Sequence, residues 1–350
     1  MWIDGRSISE KSENSLGDQV LLGKKGEGSM GKTVKVILTV AAILVALGLI
    51  LFVVVMSCYG WDFTKLNMAS YVTNTHTLPG SFHSIAVDTN TADVLFAISD
   101  DETCQVVCRE QEKLQHAVQI QDGVLKIAVA DTRKWYEYIG ISWGQSQITV
   151  YLPQRDYESV TVQADTSNVA LPRELSFDDM HITVSTGNVS NFASVTEMAE
   201  IETSTGKIWV EDISAGSMVL SADTGHITVS NVICQQDVRL SISTGLTRLT
   251  NLTCKNLSST GSTGDLNMTN VVASGDFFLE RSTGDITFTK CDAAQILAQT
   301  STGDVTGTLL SDKVYITETD TGSIDVPKTV HGGKCEISTD TGDIHIQIET

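Results

Sequence analysis

From about residue 173 onward, apolar residues recur two apart, in blocks that repeat every 19 or 20 residues. Each block reads [I/V/L]-x-x-x-[S/D]-T-G-x-[I/V/L]-x-[V/I/L/M/F], as in Ile201 to Val210 (IETSTGKIWV) and Ile337 to Ile346 (ISTDTGDIHI). Alternation with period two is strand periodicity, one side chain in and the next out. The constant mark of the block is a Thr-Gly pair, with its glycine at Gly187, Gly206, Gly225, Gly245, Gly264, Gly284, Gly303, Gly322 and Gly342. So short and even a period marks a solenoid, in which each unit buries its apolar side only by stacking on its neighbours. The expected fold is all-β: a single-stranded parallel β-solenoid (β-helix) of about nine to twelve coils with 19–20-residue repeats.

The positions inside the block predict which side chains face inward. Two residues after the glycine come Val189, Ile208, Ile227, Leu266, Ile286, Val305, Ile324 and Ile344, with Thr247 the one polar member. Two further on stand Val210, Val229, Leu249, Met268, Phe288, Val326 and Ile346. Seven after the glycine come Ile213, Val232, Leu252, Val271, Cys291 and Leu310. The Thr-Gly step is expected to be a structural turn between strands, its glycine free to take a positive φ. With only 4 prolines in 350 residues, little interrupts continuous ladders.

What precedes the repeats is different. Val36 to Met56 is a 21-residue run without a charge, about 31 Å as a helix and long enough to cross a bilayer. Lys24, Lys25, Lys32 and Lys35 lie before it and Tyr59, Trp61 and Phe63 after it. That arrangement predicts a cytoplasmic N-terminus and an extracytoplasmic remainder. The expected organisation is a disordered cytoplasmic tail (1–33), one transmembrane helix (34–57), an N-terminal cap with degenerate β-repeats (58–172), and regular solenoid repeats (173–350). The last repeat runs out soon after Gly342, so no separate C-terminal domain is expected. The Val55-Met56-Ser57-Cys58 run is similar to a bacterial lipobox, whose cysteine is lipidated. Met before the small residue, and the length of the leader, favour a retained signal anchor instead.

Charge narrows the partners. The chain carries a net −20, with −21 after residue 57 against +1 before it, which argues against nucleic acid and against lying on an anionic membrane surface. Asp265, Asp285 and Asp304 follow the glycine in three successive coils and should stack about 4.8 Å apart, so they are candidate ligands for Ca²⁺, with solvated turn aspartates as the plainer alternative. No other metal ligand and no cofactor is expected. Cys234 and Cys254 fall in a column otherwise held by Ala215, Ala273 and Ala293, which predicts small buried residues, although stacked neighbours there come within disulfide range. Cys104 and Cys108 should be core positions flanking Val106 on one strand.

No catalytic constellation emerges, because the seven histidines are scattered and no nucleophile elbow or metal-spaced Cys/His cluster occurs. The chain is therefore expected not to be an enzyme. A polysaccharide lyase or hydrolase built on a β-helix, using Asp265, Asp285 and Arg281 on an outer face, is the one catalytic alternative. Coils this uniform leave little room for its cleft.

Phe82 to Val94 (FHSIAVDTNTADV), Gly123 to Ile127 (GVLKI), Ile148 to Pro153 (ITVYLP) and the serial S/D-T-G-D-[I/V] steps carry a family resemblance. Over residues 80 to 350 the chain resembles the bacterial β-strand-repeat family labelled putative adhesin, a domain family of unknown function. That resemblance implies a β-solenoid at the cell envelope of a bacterium, with no assigned activity and no binding residues to transfer. The function expected from it is a membrane-anchored adhesin or structural binding protein whose partner is a cell-envelope glycan or protein. An envelope-stress sensor acting through a membrane partner is the alternative.

Overall fold

A computed structural model of the chain describes residues 32–62, 70–134 and 144–349. The chain divides into two compact units, Met1–Lys65 and Leu66–Thr350. In the first, Lys32–Cys58 forms a 27-residue α-helix, long and apolar enough to cross a membrane. The tail expected over 1–33 lies, apart from Lys32 and Thr33, outside the described residues, as does Phe63 of the aromatic group.

The second unit is an all-β solenoid of about ten turns. Its inward column runs in unbroken parallel register from Val169 through Val189, Ile208, Ile227, Thr247, Leu266, Ile286 and Val305. All of these are buried, and each large aliphatic among them contributes roughly 1.5–3 kcal/mol of transfer free energy. The column of small residues is as expected, with Ala215, Cys234, Cys254, Ala273 and Ala293 all buried. Cys104, Val106 and Cys108 are likewise buried on the strand Cys104–Gln111.

At Gly187, Gly264, Gly284, Gly303, Gly322 and Gly342 one strand ends at the preceding Thr and the next begins two residues after the glycine, a step between strands as the sequence predicts. The middle coils differ: Ser194–Glu211, Ser214–Cys234 and Val238–Cys254 run through the step as continuous strands, and the glycines themselves pair in register, Gly206 with Gly225 and Gly225 with Gly245. There it is a bend inside a ladder, with φ near +150° at Gly225. The sharper bends come six residues later, where Asp212, Asn231, Asn251, Asn270 and Lys290 all adopt left-handed backbone, φ 52–57°. Asparagine and aspartate tolerate that region best among non-glycine residues. Their side chains also chain together: Asn231 Nδ2 donates to Asp212 Oδ1 (2.9 Å), Asn251 Nδ2 to Asn231 Oδ1 (2.7 Å) and Asn270 Nδ2 to Asn251 Oδ1 (3.0 Å).

Coil order departs from chain order at both ends. The strand Gln295–Thr302 pairs with Gly333–Thr341, which in turn pairs with Lys313–Thr321. The last repeat in sequence is thus inserted between its two predecessors, and residues 313–325 become the terminal coil. Ile324, an expected core residue, is consequently 46% exposed, because no coil covers its outer side. Leu310 is also turned out, and Leu309 takes the buried place opposite Cys291 through a register shift.

At the other end Ser84–Thr89 lies between Asp156–Thr166 and Val124–Asp131, parallel to both. Ala92–Ile98 lies between Val169–Leu171 and Ser146–Leu152 in the same way. Beyond them the pairing turns antiparallel: Cys104–Gln111 pairs with both Ser146–Leu152 and Tyr71–Leu78, and Leu114–Gln121 pairs with Val124–Asp131. These strands end the parallel stack with a different geometry, a device that blocks open-ended edge pairing.

Candidate binding surface

The residue after each glycine builds a ladder along one corner of the solenoid. Asp265 Oδ1 accepts the main-chain N–H of Asp285 (3.0 Å), Asp285 Oδ1 that of Asp304 (2.8 Å), and Asp304 Oδ1 that of Asp343 (2.7 Å). Asp343 Oδ1 accepts the N–H and the hydroxyl of Ser323 (2.7 and 2.9 Å), and these bonds hold its carboxyl below the ordinary carboxylate range. Asn168 and Asn188 do the same in earlier coils, accepting from Asn188 and Lys207. The three candidate calcium ligands are therefore brought together along the stack, each spending one oxygen on the backbone of the next coil. A charge-assisted bond to an N–H offsets part of the repulsion between neighbouring carboxylates.

A second set of bonds closes the same bend from inside. Thr203, Thr300, Thr339 and Thr319 lie in the column that contains Ile242 and Arg281, and their hydroxyls donate to the carbonyls of Gly187, Gly284, Gly303 and Gly342 at 3.0–3.2 Å. Each satisfies an acceptor that the bend turns away from the strand ladder.

Arg281 is in the interior, 2% exposed, and not on the outer face with Asp265 and Asp285. The three residues therefore do not form the surface constellation that a β-helix lyase or hydrolase would need. The coil before it makes room: Gly261 stands beside Arg281 in the column, where a Cβ would come within 3.1 Å of its guanidinium. The guanidinium donates to Ser259 O (3.1 Å), Ser259 Oγ (3.0 Å), Glu280 O (2.7 Å) and Thr247 Oγ1 (3.4 Å). This explains the polar Thr247 in an aliphatic column. With neutral acceptors around it, burial drives the Arg281 pKa down to about 10, opposed by the charge of Asp265. Arg281→Ala is expected to cost roughly 3–5 kcal/mol as a cavity in a packed core, while Arg281→Met, which refills the volume without a buried charge, is expected to stay within about 1 kcal/mol of the parent. Denaturant melts of both variants check this, and an equal loss in the two would show that the charge, not the volume, matters.

The outer sheet face beyond the glycines is built by Ser190, Trp209, Thr228 and Arg248, consecutive across four coils. Trp209 is 44% exposed and meets the half-buried Phe192 ring edge-on, centroids 5.4 Å apart at 77°. It is a large flat apolar surface held rigid on a strand and flanked by the Ser190 and Thr228 positions, with Arg248 one coil beyond Thr228. Elsewhere a shallow groove of about 520 Å³ runs along Asp292, Ser311, Lys313 and His331. Its Lys313 Nζ is already held by Asp292 Oδ1 (2.6 Å) and Ser311 Oγ (2.5 Å).

Residues 82–347 match the Toastrack DUF4097 family. The chain belongs to that family. No curated protein sequence matches it. Among solved structures it is similar to a putative adhesin of Parabacteroides merdae ATCC 43184, at 14% identity and TM-score 0.43, covering 80% of this chain and 98% of that one. A putative lipid binding protein of Parabacteroides distasonis ATCC 8503 is similar at 12% identity and TM-score 0.46, covering 79% and 97%. A putative adhesin of Bacteroides fragilis NCTC 9343 matches at 11% identity and TM-score 0.36, covering 79% and 97%. The family model meets the resemblance expected from Phe82 to Val94, Gly123 to Ile127, Ile148 to Pro153 and the serial Thr-Gly steps.

Sequence reasoning missed three features. The left-handed Asn/Asp ladder was legible, since Asp212, Asn231, Asn251 and Asn270 all stand six residues after a glycine. The inward Arg281 carried a weaker signal, its alignment with Gly261 in the neighbouring repeat and the polar Thr247 in the next inward column. The aromatic platform at Trp209 depends on which face the strand presents, and a single tryptophan in one repeat gives no periodic signal.

Proposed function

We propose that this Toastrack protein is a membrane-anchored, extracytoplasmic binding protein of the cell envelope, and that its solenoid engages envelope glycan on the outer face around Trp209. The observation that carries the reading is that exposed ring, fixed edge-on against Phe192 and bordered in register by Ser190 and Thr228, with Arg248 one coil beyond Thr228. Apolar faces of sugar rings stack on rigid indoles, while neighbouring hydroxyls and a guanidinium satisfy ring hydroxyls. A solenoid adds repetition: equivalent polar side chains recur every ~4.8 Å along the stack, which suits many weak contacts to a repeating polymer. The N-terminal apolar helix supports the anchor, and lysines before it with aromatics after it support an outside position for the solenoid.

The test is co-sedimentation of the detergent-solubilised full chain with purified cell-wall glycan, set beside capture of membrane proteins from the same cells. Binding to glycan that falls about tenfold or more in Trp209→Ala is expected, the usual scale for a buried aromatic anchor. Capture of a membrane protein with no glycan binding would instead support the envelope-sensor alternative and reject this reading.

A further inference from the structure

The N-terminal cap holds a cluster of side chains that the solenoid does not need for packing. Cys108 and Glu110 are two apart on Cys104–Gln111 and so point to the same side, and His116 faces them from the adjoining strand Leu114–Gln121. All three are buried, at 0%, 1% and 6% exposure. One donor atom from each, a thiol sulfur, a carboxylate oxygen and an imidazole nitrogen, lies within 4.8 Å of the other two. Among the described residues this is the one grouping of three metal-type donors so close together. We propose that Cys108, Glu110 and His116 form a site for one divalent transition-metal ion, of which zinc is the best fit.

The donor set is the first reason. Thiolate, imidazole and carboxylate together suit Zn²⁺, and donors separated by less than 4.8 Å need close in by only about 1 Å to reach tetrahedral bond lengths of 2.0–2.3 Å. The surroundings are the second reason. Glu110 Oε1 accepts from Asn74 Nδ2 (2.8 Å), leaving Oε2 directed at His116, whose Nδ1 is 2.7 Å away. The other ring nitrogen, Nε2, is 3.0 Å from Thr89 Oγ1. Ligating histidines and carboxylates are held by partners of this kind on their far atoms, and here both partners are in place. They come from two further strands, Tyr71–Leu78 and Ser84–Thr89, so the ion would tie the antiparallel cap to the first parallel coil.

Charge balance is the third reason. Starting from a neutral imidazole, the ion displaces the Cys108 thiol proton to solvent, and the ring proton passes from Nδ1 to Nε2, where Thr89 Oγ1 accepts it. Two positive charges then meet one thiolate and one carboxylate, so the buried site is neutral, a balance the metal-free cluster reaches only with a protonated His116 ring paired to Glu110 Oε2, which also accepts the His116 main-chain N–H (2.8 Å). A water completes the tetrahedron.

The experiment uses the full chain in detergent micelles, stripped with chelator and titrated with Co²⁺ under reducing conditions. One equivalent of cobalt is expected to give a thiolate-to-cobalt charge-transfer band together with intense visible bands of a tetrahedral site, and Zn²⁺ is expected to bleach both. Cys108→Ala should abolish the charge-transfer band. If that variant does not fold, Cys108→Ser, which keeps the size, should show the same loss. Asn74→Ala should keep the band and weaken cobalt binding about 10–100-fold, the range for loss of a partner that orients a ligand. The absence of the band at excess cobalt, or its persistence when Cys108 is replaced, would overturn the proposal, the second outcome pointing to another of the chain's seven cysteines.

Discussion

Gly225→Ala is expected to unfold the middle of the solenoid. A Cβ at this position would lie 1.6 Å from the carbonyl oxygen of Gly206 in the coil before, at a φ of +151°. Both problems are backbone problems, so no side-chain rotation relieves them. The unfavourable φ alone costs on the order of 1–3 kcal/mol. Moving the Gly206 carbonyl costs more, because the strands pair continuously through Gly206, Gly225 and Gly245 and the shift would break ladder bonds on both sides. A total of roughly 4 kcal/mol or more is a large share of the 5–15 kcal/mol that holds an ordinary domain together.

In a solenoid the loss is also shared. Stability there is close to a sum of coil and interface terms, so an interrupted interface leaves two shorter stacks. Gly275→Ala is the internal control: a Cβ there would meet first the side-chain Oδ1 of Asn256, at 2.2 Å, which can move. Chemical denaturation followed by circular dichroism is expected to show a much lower midpoint for Gly225→Ala than for Gly275→Ala. Matching midpoints would mean that the close backbone stacking is not what the glycines are for.

Above pH 9 the protein is expected to lose stability steeply. Cys104, Cys108, Cys234, Cys254, Cys291 and Cys335 are all buried free thiols. Burial pushes Cys104 and Cys291 up to about 11 and Cys108, Cys254 and Cys335 up to about 12, and raises Cys234 as well. The unfolded chain ionises its thiols near the ordinary value of about 9, while the folded chain keeps them protonated. The unfolded state then binds fewer protons, and stability falls as pH rises. The contribution is intact below pH 9 and is lost progressively between about 9 and the folded values of 11–12.

Each of the five thiols raised to about 11 or 12 accounts for on the order of 1 kcal/mol between pH 9 and pH 10, about 5 kcal/mol together, and Cys234 acts in the same direction. Tyr157 and Tyr315, also raised by burial, act in the same direction at higher pH. Arg281 acts oppositely, since its folded value of about 10 lies below the unfolded one and removes a strained charge above that pH, but it is one group against six. Urea midpoints of the chelator-treated protein, measured under reducing conditions at pH 8 and pH 10, check the expectation. A flat profile over that interval would refute it.

The repeat itself was legible because a solenoid writes its three-dimensional equivalence into the sequence: residues that stack must resemble one another. Ile208, Ile227 and Leu266 could be placed in one column by counting from the glycines, and the alanine and cysteine column by the same arithmetic. Counting gave the small residue at the Thr-Gly step and one of the two reasons for it. The positive φ expected there is present at all nine glycines, but spacing could not show that the carbonyl of the neighbouring coil, a glycine's in all but the first, occupies the place of the Cβ. The main-chain partners of Asp265, Asp285 and Asp304 in the next coil could not be read from spacing.

The sequence by itself determined the class of fold, the length of the coil and the inward face, since these follow from local alternation and from a constant period. It did not determine which coil lies next to which. Insertion of residues 333–348 between coils 295–309 and 313–325, and of residues 84–98 between 124–152 and 156–171, places equally good apolar faces in contact either way. Only the tertiary packing chooses between such orders. The same holds for the Cys108–Glu110–His116 cluster, which two antiparallel strands and two partners from outside the hairpin assemble. No period in the chain announces it, because its members come together across the cap rather than along the stack.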